Sequence, residues 1–317
     1  MSRKIRVATF TRCVSLSDKP ANQDILDFII EKLDTDLKAV FRDKPDLVVL
    51  PEAADFPCGL PDEDFDAFLE RRGNKVLDFL KDRARENRCY IAYSTYRTDE
   101  NGVRRNSSIM IDRAGELLGA YDKNYPILDE MDDKNVIPSD EATVFECDFG
   151  RVGALICFDM NFYELREKYK KLKPDLVVFQ SNFCGGLMRN FFAFDTRSFL
   201  VAACGYYDCP AAVISPLGDN IKVSSGHYNY IVEEINLDFA VCHLDNNREK
   251  IAAAKEKYGS ALVIRDPGYI GVISLSYDGN DKTVFDIIKE FDIMLADEYF
   301  AVSRKHREEI LAKSINL

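Results

Sequence analysis

Short, continuously apolar runs that alternate with amphipathic segments constrain the fold of this chain most strongly. The runs "PDLVVLPE" (45–52) and "PDLVVFQS" (174–181) show no polar alternation, which is typical of strands buried on both faces of a sheet. Between such runs, helical periodicity places apolar residues on one face, most clearly over 25–41. The pattern predicts an α/β fold with layered, mixed sheets.

The rest of the chain continues this alternation without a visible boundary. The segment from Phe65 to Arg88 reads as one amphipathic helix, and "RNSSIMIDRAGELLGAYDK" reads as a β-hairpin. Two helical stretches, about 283–300 and 303–313, are predicted to close the chain. No repeat or Gly/Ser/Pro-rich linker interrupts the sequence, so we predict a single domain over 1–317 with a C-terminal helical extension over about 283–317.

Charge and composition exclude several classes of protein. The 317 residues carry a formal net charge of -12, which argues against a nucleic-acid partner or an anionic membrane surface. No apolar stretch reaches the roughly 20 residues that cross a bilayer, and we expect neither a leader segment nor a membrane partner. The 9 cysteines are scattered, several inside apolar runs, which suits reduced thiols in a cytoplasmic protein. No C-x-x-C pair occurs and the histidines stand apart, so no metal site is expected.

Three reactive side chains follow predicted strands: Glu52, Lys123 and Cys157. Side chains at strand ends leave the core while the backbone there stays rigid, which suits chemistry. A thiol with a pKa of roughly 8.5 needs a base to become a nucleophile, and a cation and the N–H groups of a following helix favour the thiolate. Taken singly, a buried thiol, a surface lysine and a helix-capping glutamate are the commoner cases, so the prediction of a reactive Cys157 depends on all three.

The three segments, in this order and spacing, resemble the nitrilase superfamily of carbon–nitrogen hydrolases. "LVVLPE", "GAYDKNYP" and "VGALICFD" match its "LPE", "Y-x-K" and "G-x-x-I-C-[YF]-D" patterns, which carry a Glu–Lys–Cys triad. The resemblance extends over about 4–250. It implies a single carbon–nitrogen hydrolase domain with a four-layer α–β–β–α sandwich that pairs into homodimers or higher homo-oligomers.

The resemblance also implies a mechanism without a metal or an organic cofactor. Glu52 would act as general base for Cys157, which attacks the carbon of a small non-peptide amide and forms a thioester. Lys123 and the backbone N–H of Phe158 would hold the oxyanion. Hydrolysis of the thioester would follow, with release of ammonia or an amine.

Accessory residues are less sharply indicated. Many members of the superfamily carry a second glutamate after the lysine, for which Glu130 is the candidate and Asp129 and Glu141 are rivals. Where many relatives have an arginine after the nucleophile, this chain has Asn161, which could hydrogen-bond substrate or cap a helix. The histidine usual two residues after the lysine is Tyr125 here.

The acyl pocket and the substrate stay open at this stage. Phe183, Phe191 and Phe192 lie where relatives line the acyl pocket, although aromatic residues at helical spacing are more often core. An amidase is expected first, with an N-carbamoyl hydrolase or a nitrilase acting on carbamoyl or nitrile substrates as alternatives. A catalytically silent scaffold of the same fold is the non-enzyme alternative, and a redox sensor using Cys58 is a further one.

Overall fold

The computed structural model describes residues 2–12, 14–206, 208–225 and 227–314, which fall into two compact units. One unit is Ile5–Ile235, and the other joins Met1–Lys4 to Asn236–Leu317. A single domain over the whole chain therefore stays a prediction.

Strands and helices alternate along the chain much as the apolar pattern indicates. Among the described residues the strands are β1 (Lys4–Phe10), β2 (Leu47–Val49), β3 (Tyr90–Thr98), β4 (Arg104–Ile111), β5 (Leu117–Asp122), β6 (Val144–Cys147), β7 (Gly150–Ile156), β8 (Leu176–Ser181), β9 (Phe199–Cys204), β10 (Ala212–Ile214), β11 (Asn220–Val223), β12 (Tyr230–Asn236), β13 (Phe239–His243), β14 (Leu262–Arg265) and β15 (Val272–Tyr277). The helices of the same residues are α1 (Ile25–Phe41), α2 (Phe65–Arg72), α3 (Lys75–Asn87), α4 (Leu128–Asp132), α5 (Tyr163–Leu172), α6 (Gly186–Thr196), α7 (Arg248–Tyr258), α8 (Val284–Glu290) and α9 (Ala296–Ser314).

Two six-stranded mixed sheets form the larger unit. The first has the order β12-β1-β2-β3-β4-β5, with β1, β2 and β3 parallel and β3, β4 and β5 antiparallel. The second has the order β11-β10-β9-β8-β7-β6, with β7, β8 and β9 parallel. Parallel strands in the middle of each sheet are buried on both faces, which explains the continuous apolar runs in β2 and β8.

The two sheets face each other across polar contacts. The side-chain amide of Gln180 in β8 donates to the carbonyl oxygens of Leu50 (2.8 Å) and Ala92 (3.0 Å) next to the first sheet, and the Thr9 hydroxyl in β1 donates to the Ala202 carbonyl (2.9 Å). Each of these buried donors has a partner, as burial requires. These contacts fix one sheet on the other.

Helices cover the outer face of each sheet. On the first sheet, α1 and α3 bury an apolar face that includes Phe28, Leu33 and Leu80. On the second, Tyr169 of α5 packs against Gly153, where an added Cβ would lie 2.8 Å from the tyrosine ring. The predicted four-layer α–β–β–α sandwich is confirmed.

The prediction of one continuous helix over Phe65–Arg88 is wrong. The structure has two helices, α2 and α3, because the backbone of Gly73 adopts a φ of 48°, which ends α2. The helix start at α1 follows local chemistry, since the Asp24 side chain accepts hydrogen bonds from the N–H groups of Leu26 and Asp27.

The C-terminal unit is not made of helices alone. It contains an antiparallel sheet of order β13-β15-β14, together with α7, α8 and α9. The break between the last two helices lies near Asp292, whose φ of 49° interrupts the helix, and not near 301–302 as the sequence pattern indicates. Within the described ranges, no helix combines the length and apolarity needed to cross a membrane.

Candidate active site

A buried ion bridge joins two of the predicted catalytic residues. Glu52 follows β2 and Lys123 follows β5, and their side chains are 4% and 1% exposed. The Lys123 Nζ lies 2.8 Å from Oε1 of Glu52 and 2.7 Å from Oε2 of Glu130. Burial opposes the charge on Lys123, but the two carboxylates outweigh burial and raise its pKa above the ordinary value. The lysine is therefore an ammonium held between two carboxylates.

Glu130 is the accessory glutamate that the structure brings to this bridge. It lies in α4, and its Oε2 also accepts a hydrogen bond from the Ile127 N–H at 2.9 Å. Burial opposes its ionisation, yet the Lys123 charge and hydrogen bonds from Lys123, Asn106 and Ile127 prevail and lower the pKa of Glu130. The rival residues Asp129 and Glu141 are exposed side chains.

Cys157 lies at the end of β7 beside the ion bridge. Its backbone has a φ of 49°, a left-handed conformation that costs an L-residue on the order of 1 kcal/mol or more. Burial and the Glu52 charge raise the pKa of the thiol to about 12, while Lys123 and hydrogen bonds from Ser181 and Asn182 partly oppose this. Cys157 at rest is thus a thiol, and a base would have to remove its proton before it could act as the predicted nucleophile.

The expected helix at the nucleophile is displaced by a tight turn. Residues Cys157–Asn161 form a 3-10 turn, and α5 begins only at Tyr163. The α-helix expected directly after Cys157 therefore begins later, and an effect of helix N–H groups on the thiolate stays a prediction. The thiol is buried, and the Glu52 carboxylate lies near it.

The buried carboxylate of Asp159 ties the nucleophile turn to the lysine loop. It accepts hydrogen bonds from the N–H groups of Asn124 (3.1 Å) and Tyr125 (2.8 Å) on one oxygen, and from the Tyr121 hydroxyl (2.6 Å) and the Ile156 N–H (3.0 Å) on the other. Burial raises the pKa of Asp159 to about 6. Strand ends far apart in sequence are thereby fixed to each other.

The remaining predicted site residues have different surroundings. Phe158 follows Cys157 in the turn with a side chain 39% exposed, and Asn161 uses its amide to donate to the Phe158 carbonyl at 3.1 Å. Phe183 follows β8, is 39% exposed, and lies edge-on to Phe179. Tyr125, the unexplained departure, stacks on Phe162 with ring centroids 3.6 Å apart.

Three residues that the sequence pattern did not single out also contact the carboxylates. Asn106 donates to both Glu52 and Glu130, the Tyr96 hydroxyl donates to Glu130 at 3.1 Å, and the Asn182 N–H donates to Oε2 of Glu52 at 3.1 Å. Asn106 lies in the "RNSSIMIDRAGELLGAYDK" segment, whose hairpin pattern alone does not mark it as a site residue.

A cavity of about 230 Å³ opens beside Glu52. Its walls include Phe56, Tyr96, Arg12 and Lys134. This volume lies below the roughly 300–1,000 Å³ of drug-sized pockets, so it suits a small substrate. Among the described residues, no three His, Cys, Asp or Glu side chains are grouped as a metal site requires.

Among the cysteines that the structure describes outside the site, Cys58 differs from the others. Cys89, Cys147, Cys184 and Cys209 are among the free thiols, whereas Cys58 is disulfide-bonded. The expectation of reduced cysteines throughout is therefore wrong at Cys58.

Comparison with known proteins identifies relatives of this chain. The carbon-nitrogen hydrolase family matches residues 8–222. The chain is 23% identical to omega-amidase NIT2 of Xenopus tropicalis over 233 residues, which is 67% of this chain and 82% of that protein. It is 26% identical to omega-amidase NIT3 of Saccharomyces cerevisiae over 185 residues, which is 52% of this chain and 59% of that protein.

Solved structures share the fold at low sequence identity. The crystal structure of Saccharomyces cerevisiae Nit3, a member of the nitrilase superfamily, matches with a TM-score of 0.61 and 18% identity, over 81% of this chain and 95% of that one. An amidase from Nesterenkonia sp. matches with a TM-score of 0.63 and 16% identity, over 78% of this chain and 95% of that one.

The two helix-covered sheets are thus a fold that this chain shares with these solved structures. Since the family match spans more than half of the chain, the protein belongs to the carbon–nitrogen hydrolase family. The predictions of the family and of a hydrolase enzyme are confirmed.

Proposed function

We propose that this enzyme hydrolyses a small non-peptide amide through a thioester on Cys157. The observation that carries the proposal is the Lys123 ammonium, bridged at 2.8 and 2.7 Å to the buried carboxylates Glu52 and Glu130, next to a protonated thiol. A carboxylate, a fixed cation and a thiol are what acyl transfer to sulfur needs. The omega-amidase names of the sequence relatives support an amide as substrate.

Acylation begins with proton transfer. Glu52 accepts the Cys157 proton while sulfur bonds to the amide carbon, and the carbonyl electron pair moves to oxygen. Lys123 and the backbone N–H of Phe158 hold that oxyanion. The intermediate collapses when the carbon–nitrogen bond breaks and Glu52 returns its proton to nitrogen, so that ammonia or an amine leaves.

Deacylation repeats the same proton path with water. Glu52 takes a proton from water, whose oxygen attacks the thioester carbon. The carbon–sulfur bond then breaks, sulfur regains the proton from Glu52, and a carboxylic acid leaves. Glu52 thus serves twice as base and twice as acid, which requires that its carboxylate stay ionised at rest.

Turnover and a trapped intermediate test the proposal together. A panel of small amides, including ω-amides of dicarboxylic acids, with nitriles and N-carbamoyl compounds, is assayed for ammonia release. Intact-mass spectrometry then seeks the acyl group on the enzyme. We expect an amide to turn over, and carbon dioxide released with ammonia indicates the N-carbamoyl alternative instead.

A matched pair of cysteine variants assigns the nucleophile. Cys147, like Cys157, is a partly buried free thiol with a pKa raised to about 12 by burial, but it lies in β6. We expect Cys157→Ala to abolish turnover and the acyl adduct, and Cys147→Ala to retain both. Full turnover by Cys157→Ala contradicts the mechanism.

We also propose a homodimer or higher homo-oligomer in a cytoplasmic setting. Support for self-association is the exposed apolar surface on α5 and α6, where Tyr163, Leu187 and Phe191 are 59%, 87% and 44% exposed. The free thiols support a reducing compartment, and the disulfide at Cys58 opposes it. Sedimentation velocity and cell fractionation test the two points, and a monomer or a membrane-bound pool contradicts them.

A further inference from the structure

The side chain of Asn106 lies between the two carboxylates of the site. Asn106 is in β4, directly opposite Tyr96 of β3 in the sheet, and is 1% exposed. Its Nδ2 lies 3.0 Å from Oε1 of Glu52 and 2.7 Å from Oε1 of Glu130. Its main-chain oxygen accepts a hydrogen bond from the Lys123 N–H at 2.9 Å. One residue therefore contacts all three members of the ion bridge.

The orientation of this amide follows from the charges around it. Turning the amide over would aim its oxygen at two carboxylate oxygens, which repel it. In the observed orientation the buried Oδ1 has no hydrogen-bond partner within the described chain. A buried acceptor without a partner costs free energy, so the amide is held there by its two donated hydrogen bonds.

The charge balance of the site explains why a second donor is needed. Lys123 supplies one positive charge to two carboxylates, Glu52 and Glu130. The Tyr96 hydroxyl and the Cys157 thiol, both protonated, add no positive charge. Two cations line the cavity beside Glu52, but Arg12 is paired with Asp36 and the Lys134 ammonium lies over aromatic rings, that of Tyr96 included. Like charges this close favour protonation of one carboxylate unless donors oppose it. The Asn106 hydrogen bond is among the causes that lower the pKa of Glu130.

We propose that Asn106 is a positioning residue that keeps Glu130 ionised beside Glu52 and fixes which oxygen of Glu52 acts as the base. Asn106 and Lys123 together occupy Oε1 of Glu52. Oε2, which accepts from the Asn182 N–H, is then the oxygen that receives the thiol proton. This inference rests on the proposed function for its catalytic consequence, but the ionisation of the carboxylates is measurable without substrate.

The experiment compares Asn106→Leu with a matched control, Asn247→Leu. Asn247 is also 1% exposed, and its amide donates to the His243 and Met294 carbonyls at 2.8 Å each, away from any carboxylate. Urea midpoints are measured at pH 5 and pH 8, and kcat/KM is measured from pH 5 to pH 9. The first readout needs no substrate, so it separates failure of this inference from failure of the amidase proposal.

For Asn106→Leu we expect a urea midpoint that falls further below wild type at pH 8 than at pH 5, because the carboxylates then carry charge without a donor. We expect the acidic limb of kcat/KM to move up by about one pH unit, as loss of a hydrogen bond to a charged group implies. KM should change less than kcat. For Asn247→Leu, the urea midpoint should fall below wild type by the same amount at both pH values, and the acidic limb of kcat/KM should not move.

A second variant keeps the test decisive if Asn106→Leu does not fold. Asn106→Asp has the same shape but adds a third carboxylate, so its deficit relative to wild type should grow from pH 5 to pH 8 and exceed that of the leucine variant. A deficit independent of pH in both variants, or an unmoved acidic limb, overturns the inference and assigns Asn106 a purely structural role.

Discussion

Replacing Lys123 by methionine should lower the free energy of unfolding, because it removes the positive charge that lies between two buried carboxylates. Methionine keeps the apolar stem but removes the ammonium, so Glu52 and Glu130 lose their contacts at 2.8 and 2.7 Å while staying buried. Removing one partner of a buried ion pair costs about 3–5 kcal/mol. We expect a loss of that size in the free energy of unfolding at pH 8, together with loss of turnover.

The pH dependence of this loss identifies its cause. In the wild type the pKa of Glu130 is lowered, so its contribution to stability is present above the unfolded pKa and disappears as pH falls through the folded pKa. In the variant, burial acts without the counter-charge and raises the pKa of Glu130, so stability is instead recovered as pH falls. At pH 5 the wild type still keeps this contribution, because that pH lies above the unfolded pKa of 4.5, so the stability gap narrows there through recovery of the variant alone. Asp159, whose pKa is raised to about 6 mainly by burial, titrates in both proteins, so it leaves the stability difference between them largely unchanged.

Urea unfolding at pH 5 and pH 8 measures the effect, and Lys170→Met is its control. Lys170 also lies between two carboxylates, 3.0 Å from Glu167 and 3.2 Å from Asp195, but its side chain is 38% exposed. Exposed pairs contribute about 0–1 kcal/mol, so this variant should lose little. The double variant Lys123→Met/Glu130→Gln should recover part of the loss at pH 8. Equal losses at both pH values, or a loss no greater than the control, refute the reasoning.

Three further predictions follow from individual contacts. Asp159→Asn should lower stability and kcat because asparagine cannot accept all four hydrogen bonds. Ionisation of Asp159, whose pKa is about 6, costs the wild type stability as pH rises past about 4. The variant's deficit in the free energy of urea unfolding should therefore shrink toward pH 7. Gly153→Ala should cost about 1–3 kcal/mol in thermal or urea unfolding, because its Cβ would lie 2.8 Å from the Tyr169 ring. Cys157, with a pKa of about 12, should react with a neutral alkylating reagent at a rate that keeps rising to pH 9, and a plateau between pH 7 and 9 contradicts the protonated resting thiol.

The sequence predicts the layers and the reactive strand ends because both depend on local pattern. Continuous apolar runs identify β2 and β8, and Glu52 follows one of them directly. Breaks set by a single backbone torsion are not visible in such patterns. Periodicity therefore predicts no turn at Gly73, and it predicts a later helix break than the one near Asp292.

The supporting residues of the site escape sequence reasoning for a different reason. Asn106 meets Glu130 only because β4 pairs with β3 in one register and α4 begins beside them. Glu130 itself is distinguishable from Asp129 only by the helical position that turns it inward. Contacts between elements decide these roles, and a polar residue in a strand or loop carries no mark of them in the sequence.

The protonation states of the site argue for a nucleophile that is activated only during the reaction. A buried thiol with a pKa of about 12 has no thermodynamic reason to lose its proton at neutral pH. When an amide carbon bonds to sulfur, the thiol proton becomes acidic, and negative charge develops on the amide oxygen. Lys123, already bridged to two carboxylates, can stabilise that oxyanion with little rearrangement. In the proposed mechanism, proton transfer to Glu52 is then favourable only in the presence of substrate. The same burial that makes Cys157 a poor resting thiolate would thereby confine its reactivity to bound amides.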